Sequence, residues 1–274
     1  MQFAPFTPSR LPLRLPDIIV GLALAALLYL AIQLALGAPD QLAGPAISLE
    51  PAALPYYGLR SLLRMAAAYV LSLAFALLYG YTIAKSRRAE TVLLPVLDVL
   101  QSVPILSFLP IVVLTLVAIA PRDIGLELAA VILIFTSMAW NITFAFYQSV
   151  ITVPKEMMEA ASVFRFNPWL RFRSVELSFA TIALVFNSIL SWAGGWFFLM
   201  AAEQFVLGQR NFQLLGIGSY LKTAAELGDI SALLLGLVTL VVIIVALDQL
   251  LWRPAIAWAD KFKVQTDEEA EPPR

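Results

Sequence analysis

The sequence predicts an all-α membrane protein with six transmembrane helices. Hydrophobic residues make up 61% of the 274 positions and charged ones only 14%, against about half and about a quarter in soluble domains. Mean hydropathy is +0.84, an excess of apolar surface that lipid can cover and a larger core cannot. The apolar residues gather in six stretches, at about 18–36, 66–84, 91–120, 128–153, 177–202 and 230–247. Each is close to or above the roughly 20 residues a helix needs to cross a bilayer. In hydrocarbon every backbone N–H and C=O must be paired within the span, so each stretch is read as a helix.

The first stretch exceeds the ~7–15 apolar residues of a cleavable signal peptide and is expected to remain as an anchor. The second has Arg60 and Arg64 at its start. The third holds Asp98 and three prolines, Pro95, Pro104 and Pro110. Each proline removes a backbone donor and crowds the preceding turn, so this span is expected to be kinked or broken. Protein or a water-filled cavity must cover the freed carbonyls; a helix lining a transport path and a packing kink both meet that condition. Asp98 is expected near the cytoplasmic end in a capping or interfacial role.

Spans four and five carry Asn141, Gln148, Asn187 and Ser191. Polar groups in spans tend to face the bundle interior, where these would line a pathway or bond one helix to the next. Gly194-Gly195 before Trp196 permits close helix approach. Gly216 and Gly218 suit a turn in a partly re-entrant outer segment. The acidic tail at 265–274 has the composition of a disordered segment.

Lys and Arg are unevenly placed. One side of the spans holds Arg10, Arg14, Lys85, Arg87, Arg88, Lys155, Arg165, Arg171, Arg173, Arg253, Lys261 and Lys263. The other holds Arg122, Arg210 and Lys222, besides Arg60 and Arg64. Cytoplasmic connections are the basic ones, so both termini are predicted to be cytoplasmic. The formal net charge of −1 argues against nucleic acid as a partner.

The chain has no cysteine and no histidine. That excludes Cys/His zinc sites, haem held by His or Cys, and Ser-His-Asp or Cys-His catalysis. Lys85-Ser86 is no phosphate-binding loop either, because Tyr79 and Ala84 stand where that motif needs glycines. A membrane-embedded enzyme needs ionisable residues converging inside the spans, and only Asp98 qualifies. A non-catalytic protein without metal or cofactor of its own is expected.

The connection at 154–176 does not read as a loop. Pro154 suits a first helical position, and Asn167-Pro168 is an N-cap followed by proline in the first turn. The first of these two short helices places Met157, Ala161 and Phe164 on one stripe; the second spaces Trp169, Phe172 and Glu176 between Arg171 and Arg173. Their apolar stripes need a cover, which is the lipid headgroup layer or a soluble partner.

Glu159-Ala160-Ala161 followed by RFRSVELS resembles the EAA loop in permease subunits of binding-protein-dependent ABC importers. The usual pattern is E-A-A, three residues, glycine, nine residues, then I-x-L-P. Glu159, Ala160, Ala161, Val175 and Leu177 fall on register, whereas Arg165 replaces the glycine and Ser178 the final proline. LLPVLDVLQSVPILSFLP in the third span, and MAAEQF, LLGIGSYL and Gly228-Asp229 after the fifth, are similar to permeases of the nitrate, sulfonate and taurine group. The resemblance covers roughly 60–262.

It implies that 154–176 is a coupling segment docking on separate ABC ATPase subunits, with Glu159, Ala160, Ala161 and Arg165 at the contact. ATP and Mg would be used by those subunits. A second permease chain and an extracytoplasmic substrate-binding protein would complete the assembly in a bacterial-type inner membrane. The group's substrates suggest a small anion such as nitrate, a sulfonate or bicarbonate. At Arg165 a long cation stands where the resemblance implies close packing. Glu203 matches a family glutamate with a structural part. The alternative is a secondary carrier, which would show internal repeats and paired broken helices; the chain has one broken span and no clear repeat.

Overall fold

The computed structural model describes residues 45–207 and 210–263, with scattered positions between 18 and 33 that are helical. The rest of the predicted first span (18–36) and the acidic tail (265–274) lie outside the described residues. After a 3-10 turn at Pro51–Ala53 come α1 (Leu54–Lys85), α2 (Arg87–Ser102), α3 (Ile105–Ile119) and α4 (Arg122–Ile151). One short helix follows, α5 (Lys155–Val163), and then a continuous helix made of α6 (Pro168–Arg171), a wide π-helical turn at Phe172–Glu176 and α7 (Leu177–Glu203). An antiparallel hairpin of β1 (Gln204–Leu207) and β2 (Arg210–Gln213) precedes α8 (Ile217–Leu227), α9 (Ile230–Leu247) and α10 (Arg253–Ala259).

Among the described residues four stretches are long and apolar enough to cross a membrane: Pro51–Lys85, Asp123–Ile151, Pro168–Glu203 and Ile230–Phe262. They contain predicted spans two, five and six and nearly all of span four. The helices run further than the hydropathy limits, so Arg60 and Arg64 stand inside α1 rather than at its start.

The predicted third span is two helices. Val103 is extended, Pro104 caps α3, and Pro95 and Pro110 are accommodated inside α2 and α3. Proline holds the residue before it out of the helical region, and here only Pro104 ends a helix by doing so. The apolar part of α3, Leu109–Ile119, is shorter than a bilayer crossing.

Helix α4 packs against α1, α7 and α3. Helix α1 turns Ala68, Ser72, Ala76 and Gly80 toward α4, all buried at four-residue spacing. A Cβ at Gly80 would meet Phe146 Cδ1 at 3.0 Å and the Thr143 carbonyl oxygen at 3.3 Å. Lipid tails are as apolar as leucine, so helices in a membrane associate by close van der Waals contact, which small residues allow. Asp98, in the last turns of α2, accepts a hydrogen bond from Gln101 Nε2 at 3.2 Å. A second apolar cluster, Leu54, Tyr57, Ile217, Tyr220, Ala224 and Ala232, seats α8 between the starts of α1 and α9. Helix α9 buries only Ala232 and Gly236, leaving an apolar surface that suits lipid.

Candidate functional site

The first predicted short helix of the segment is α5, whereas the second is not separate: α6 runs through the π-helical turn into α7 as one helix, Pro168–Glu203. Pro154 is the N-cap of α5 rather than its first residue. Asn167 caps α6 through its side chain, which accepts from the Leu170 N–H at 2.7 Å. Of the predicted apolar stripe, Ala161 is buried and Met157 half-buried, but Phe164 is 73% exposed because α5 has already ended there. Glu159, Ala160 and Arg165 are exposed. An open groove of about 540 Å³ runs beside α5, lined by Val153, Lys155, Met158, Glu159, Ser162 and Val163. Val163 on its wall, and Phe164 and Trp169 further along the segment, are exposed apolar side chains.

Arg165 has an unusual backbone conformation. Its φ is +52°, the left-handed region, and it is the one non-glycine residue there among the described residues. The Phe166 N–H donates to the Ala161 carbonyl at 2.9 Å and the Arg165 N–H to that of Ser162 at 3.0 Å. That is the Schellman helix end, with its left-handed position at Arg165. The same pair of bonds ends α8, where the Asp229 N–H reaches Ala224 and the left-handed residue is Gly228, φ +67°. The position therefore favours glycine on backbone grounds as well, and Arg165 is solvent-exposed on the single chain. The left-handed conformation costs a non-glycine residue about 1–2 kcal/mol, and glycine returns part of that gain to the unfolded chain. Arg165→Gly is expected to stabilise the protein by about 0.5–1 kcal/mol, read as a thermal midpoint in detergent raised by roughly 2 °C. A lowered midpoint would contradict this account of the turn.

At the opposite end of the bundle the long helices are tied by charge. Arg64, 3% exposed, donates through Nη1 to Glu203 Oε1 at 2.7 Å, and through Nε and Nη2 to Glu127 at 2.6 and 2.8 Å. Arg60, one turn earlier on α1, reaches Glu127 Oε1 at 2.5 Å. Glu203, 0% exposed, also accepts from the Ser61 hydroxyl at 2.5 Å and the Gly218 N–H at 2.7 Å. Ser61 in turn accepts from the Ile217 N–H at 3.0 Å. A Cβ at Gly216 would lie 2.2 Å from the Glu203 carboxyl group. These glycines thus admit a carboxylate to the start of α8, where helix N–H groups favour negative charge, rather than only making a turn. Arg60, Leu63, Arg64, Ala67, Glu127 and Val131 line an open cavity of about 240 Å³.

The polar residues of spans four and five partly converge. Asn141 Nδ2 donates to Ser191 Oγ at 3.0 Å and to the Asn187 carbonyl at 3.3 Å, joining α4 to α7. Asn187 Nδ2 bonds back to the Ala183 carbonyl at 2.8 Å. Asn141 and Gln148 are nonetheless exposed, two turns apart on one face of α4. Gln148 joins no other predicted residue. Sequence reasoning missed Glu127, Ser61, Lys85 and Glu176 as partners. The spacing Arg60-Ser61-Arg64 on one helix was the available signal for the first two.

A bundle of membrane-length helices, closed by ion pairs at one end and carrying a structured, partly exposed segment at the other, defines a multi-pass membrane protein. No group of three or more His, Cys, Asp or Glu suited to a metal occurs among the described residues. The chain belongs to the family described as the binding-protein-dependent transport system inner membrane component, which matches residues 62–251. It is the permease component of such a system. Comparison with individual curated proteins gives no match.

Proposed function

We infer that this chain forms half of the substrate pathway of an ATP-driven importer and takes its motion from separate ABC ATPase subunits. The observation that carries this reading is the surface of 154–176. Glu159 and Ala160 are exposed beside a groove, Ala161 is tucked inward, and Val163, Phe164 and Trp169 are uncovered. Charged and small residues on the exposed side of α5 suit a protein cleft better than lipid headgroups. In this reading α5 is the coupling helix and Glu159, Ala160, Ala161 and Arg165 are its contacts. ATP and Mg belong to the partner, and the chain itself catalyses nothing.

The full span count is six, with 18–36 as the first and α2 with α3 as a broken third. The basic residues at Lys85, Arg87, Arg88, Lys155, Arg171 and Arg173 put the coupling segment and both termini in the cytoplasm. The exposed amides of Asn141 and Gln148 have no place in lipid. A second permease chain would cover them and enclose a path in which Asn187 and Ser191 also take part. The substrate class is a small anion of the nitrate, sulfonate or bicarbonate kind, delivered by an extracytoplasmic binding protein.

The test is assembly and transport. Tagged protein from its native membrane is expected to bring down an ATPase, and vesicles holding the complex are expected to take up a small oxyanion only with Mg-ATP inside the vesicle-equivalent of the cytoplasm. A cysteine at Ser162, in this cysteine-free background, should be shielded from an impermeant thiol reagent outside intact cells. Uptake driven by a proton gradient with no ATPase present would favour a carrier instead.

A further inference from the structure

Glu176 is the last residue of the coupling segment, on the π-helical turn that joins α6 to α7, and is 0% exposed. Its Oε1 accepts Lys85 Nζ, from the last turn of α1, at 2.5 Å. Arg171 Nε, on the coupling segment itself, lies 3.4 Å from the same oxygen. Neither Glu176 Oε2 nor Arg171 Nε has a hydrogen-bond partner among the described residues. Tyr81, one turn before Lys85, packs edge-on against Phe172 at 4.9 Å, and its ring lies 5.3 Å from Lys85 Nζ.

Two cations from two elements thus share one buried carboxylate, Lys85 at hydrogen-bond distance and Arg171 at the longer ion-pair distance. Lys85 belongs to a membrane helix and Arg171 to the segment that a partner would move. Glu176 is fully buried while the Arg171 side chain is 37% exposed, so a small shift of α6 that brings Arg171 onto the unpaired Oε2 is rewarded at the carboxylate, and a guanidinium can hold both oxygens at once. Released Lys85 has a way back to water, since its side chain is already 30% exposed and its long stem lets the charge reach solvent. The π-type turn supplies the local freedom; such turns are rare and concentrate at functional positions.

We propose that Glu176 is the positioning residue that latches α1 to the coupling segment, held by Lys85 in this conformation and handed to Arg171 when the segment is displaced. The latch rests on the reading of 154–176 as the ATPase-docking segment. Its consequence is that α1 is bound to the segment in one nucleotide state and freed in the other.

Spin labels at Thr82→Cys and Ser174→Cys measure the gap between α1 and the turn, in the complex with its ATPases, without nucleotide and with Mg-ATP plus vanadate. The expected result is a distance distribution that shifts with nucleotide. Lys85→Met with Glu176→Met removes the buried pair and leaves Arg171, whose side chain is 37% exposed, to turn to water; it should abolish the shift while ATPase association persists. Lys85→Arg should retain it. A double variant that shifts like the parent, or a parent that does not shift, overturns the latch. Should the double variant not accumulate, Lys85→Gln alone reads the same shift, and its persistence also overturns it. If no ATPase accompanies the parent chain, the docking reading itself has failed and the latch falls with it.

Discussion

Replacing Arg64 with methionine is expected to cost roughly 3–5 kcal/mol, the penalty for breaking a buried ion pair by removing one partner. The aliphatic stem is kept, so lost packing contributes little. What is lost is the cation between two carboxylates. Glu203 would keep only the Ser61 hydroxyl and the Gly218 N–H, and Glu127 only Arg60. Because Glu203 also holds α8 through its backbone carbonyl, which accepts from Ser219 Oγ at 2.8 Å and the Leu214 N–H at 2.8 Å, the hairpin and α8 should loosen with it. Thermal unfolding in detergent reads the first effect. Thiol labelling of Ser219→Cys, a position fully buried in the parent, reads the second. Arg60→Met is the control, because Arg60 is 39% exposed and its pair with Glu127 is a surface bridge worth about 0–1 kcal/mol. Equal and small effects at both arginines would show that the cluster does not hold this end together.

The positions of the long helices were legible because a membrane span must be apolar for its whole crossing. Their ends were not, for the opposite reason. Hydropathy stops a span at the first charge, so Arg60, Arg64, Glu127, Glu176 and Glu203 fell outside predicted limits. In the folded chain α1, α4 and α7 extend through or up to these charges, because each finds a counter-charge on a neighbouring helix. For pairings between residues 63 to 142 positions apart, the sequence shows one side only, such as Arg60-Ser61-Arg64 on one helix face, and not the partner.

The broken third span shows the same division. Proline chemistry predicts an interruption, but which of Pro95, Pro104 and Pro110 makes it depends on what covers the freed carbonyls. At Arg165 the motif marked the position, and the folded chain adds a backbone reason for glycine there, the left-handed conformation. A glycine in a pattern points to close approach or to a left-handed backbone, and only φ tells them apart. Gly216 and Gly218 were the reverse case, where a turn was expected and a carboxylate occupies the space that side chains would fill. Residues 204–213 gave no strand signal, and the hairpin there was not anticipated.

Glu159→Lys tests the coupling segment most directly. Glu159 is exposed on α5 and contributes nothing to inserting the spans, which their hydrophobicity does. No hydrogen bond or ion pair within the described chain depends on it, so its replacement should leave folding unaltered. At a partly desolvated contact with a partner, reversing a charge loses the attraction and adds a repulsion, together worth a few kcal/mol. The decisive measurement is co-purification of the ATPase with the Glu159→Lys chain, beside Mg-ATP-driven uptake and with membrane abundance as the control. Normal abundance with ATPase binding weakened about a hundredfold, by roughly 2.7 kcal/mol, and uptake lost is the predicted result. Full ATPase binding and full uptake would contradict it and return 154–176 to the lipid headgroup layer.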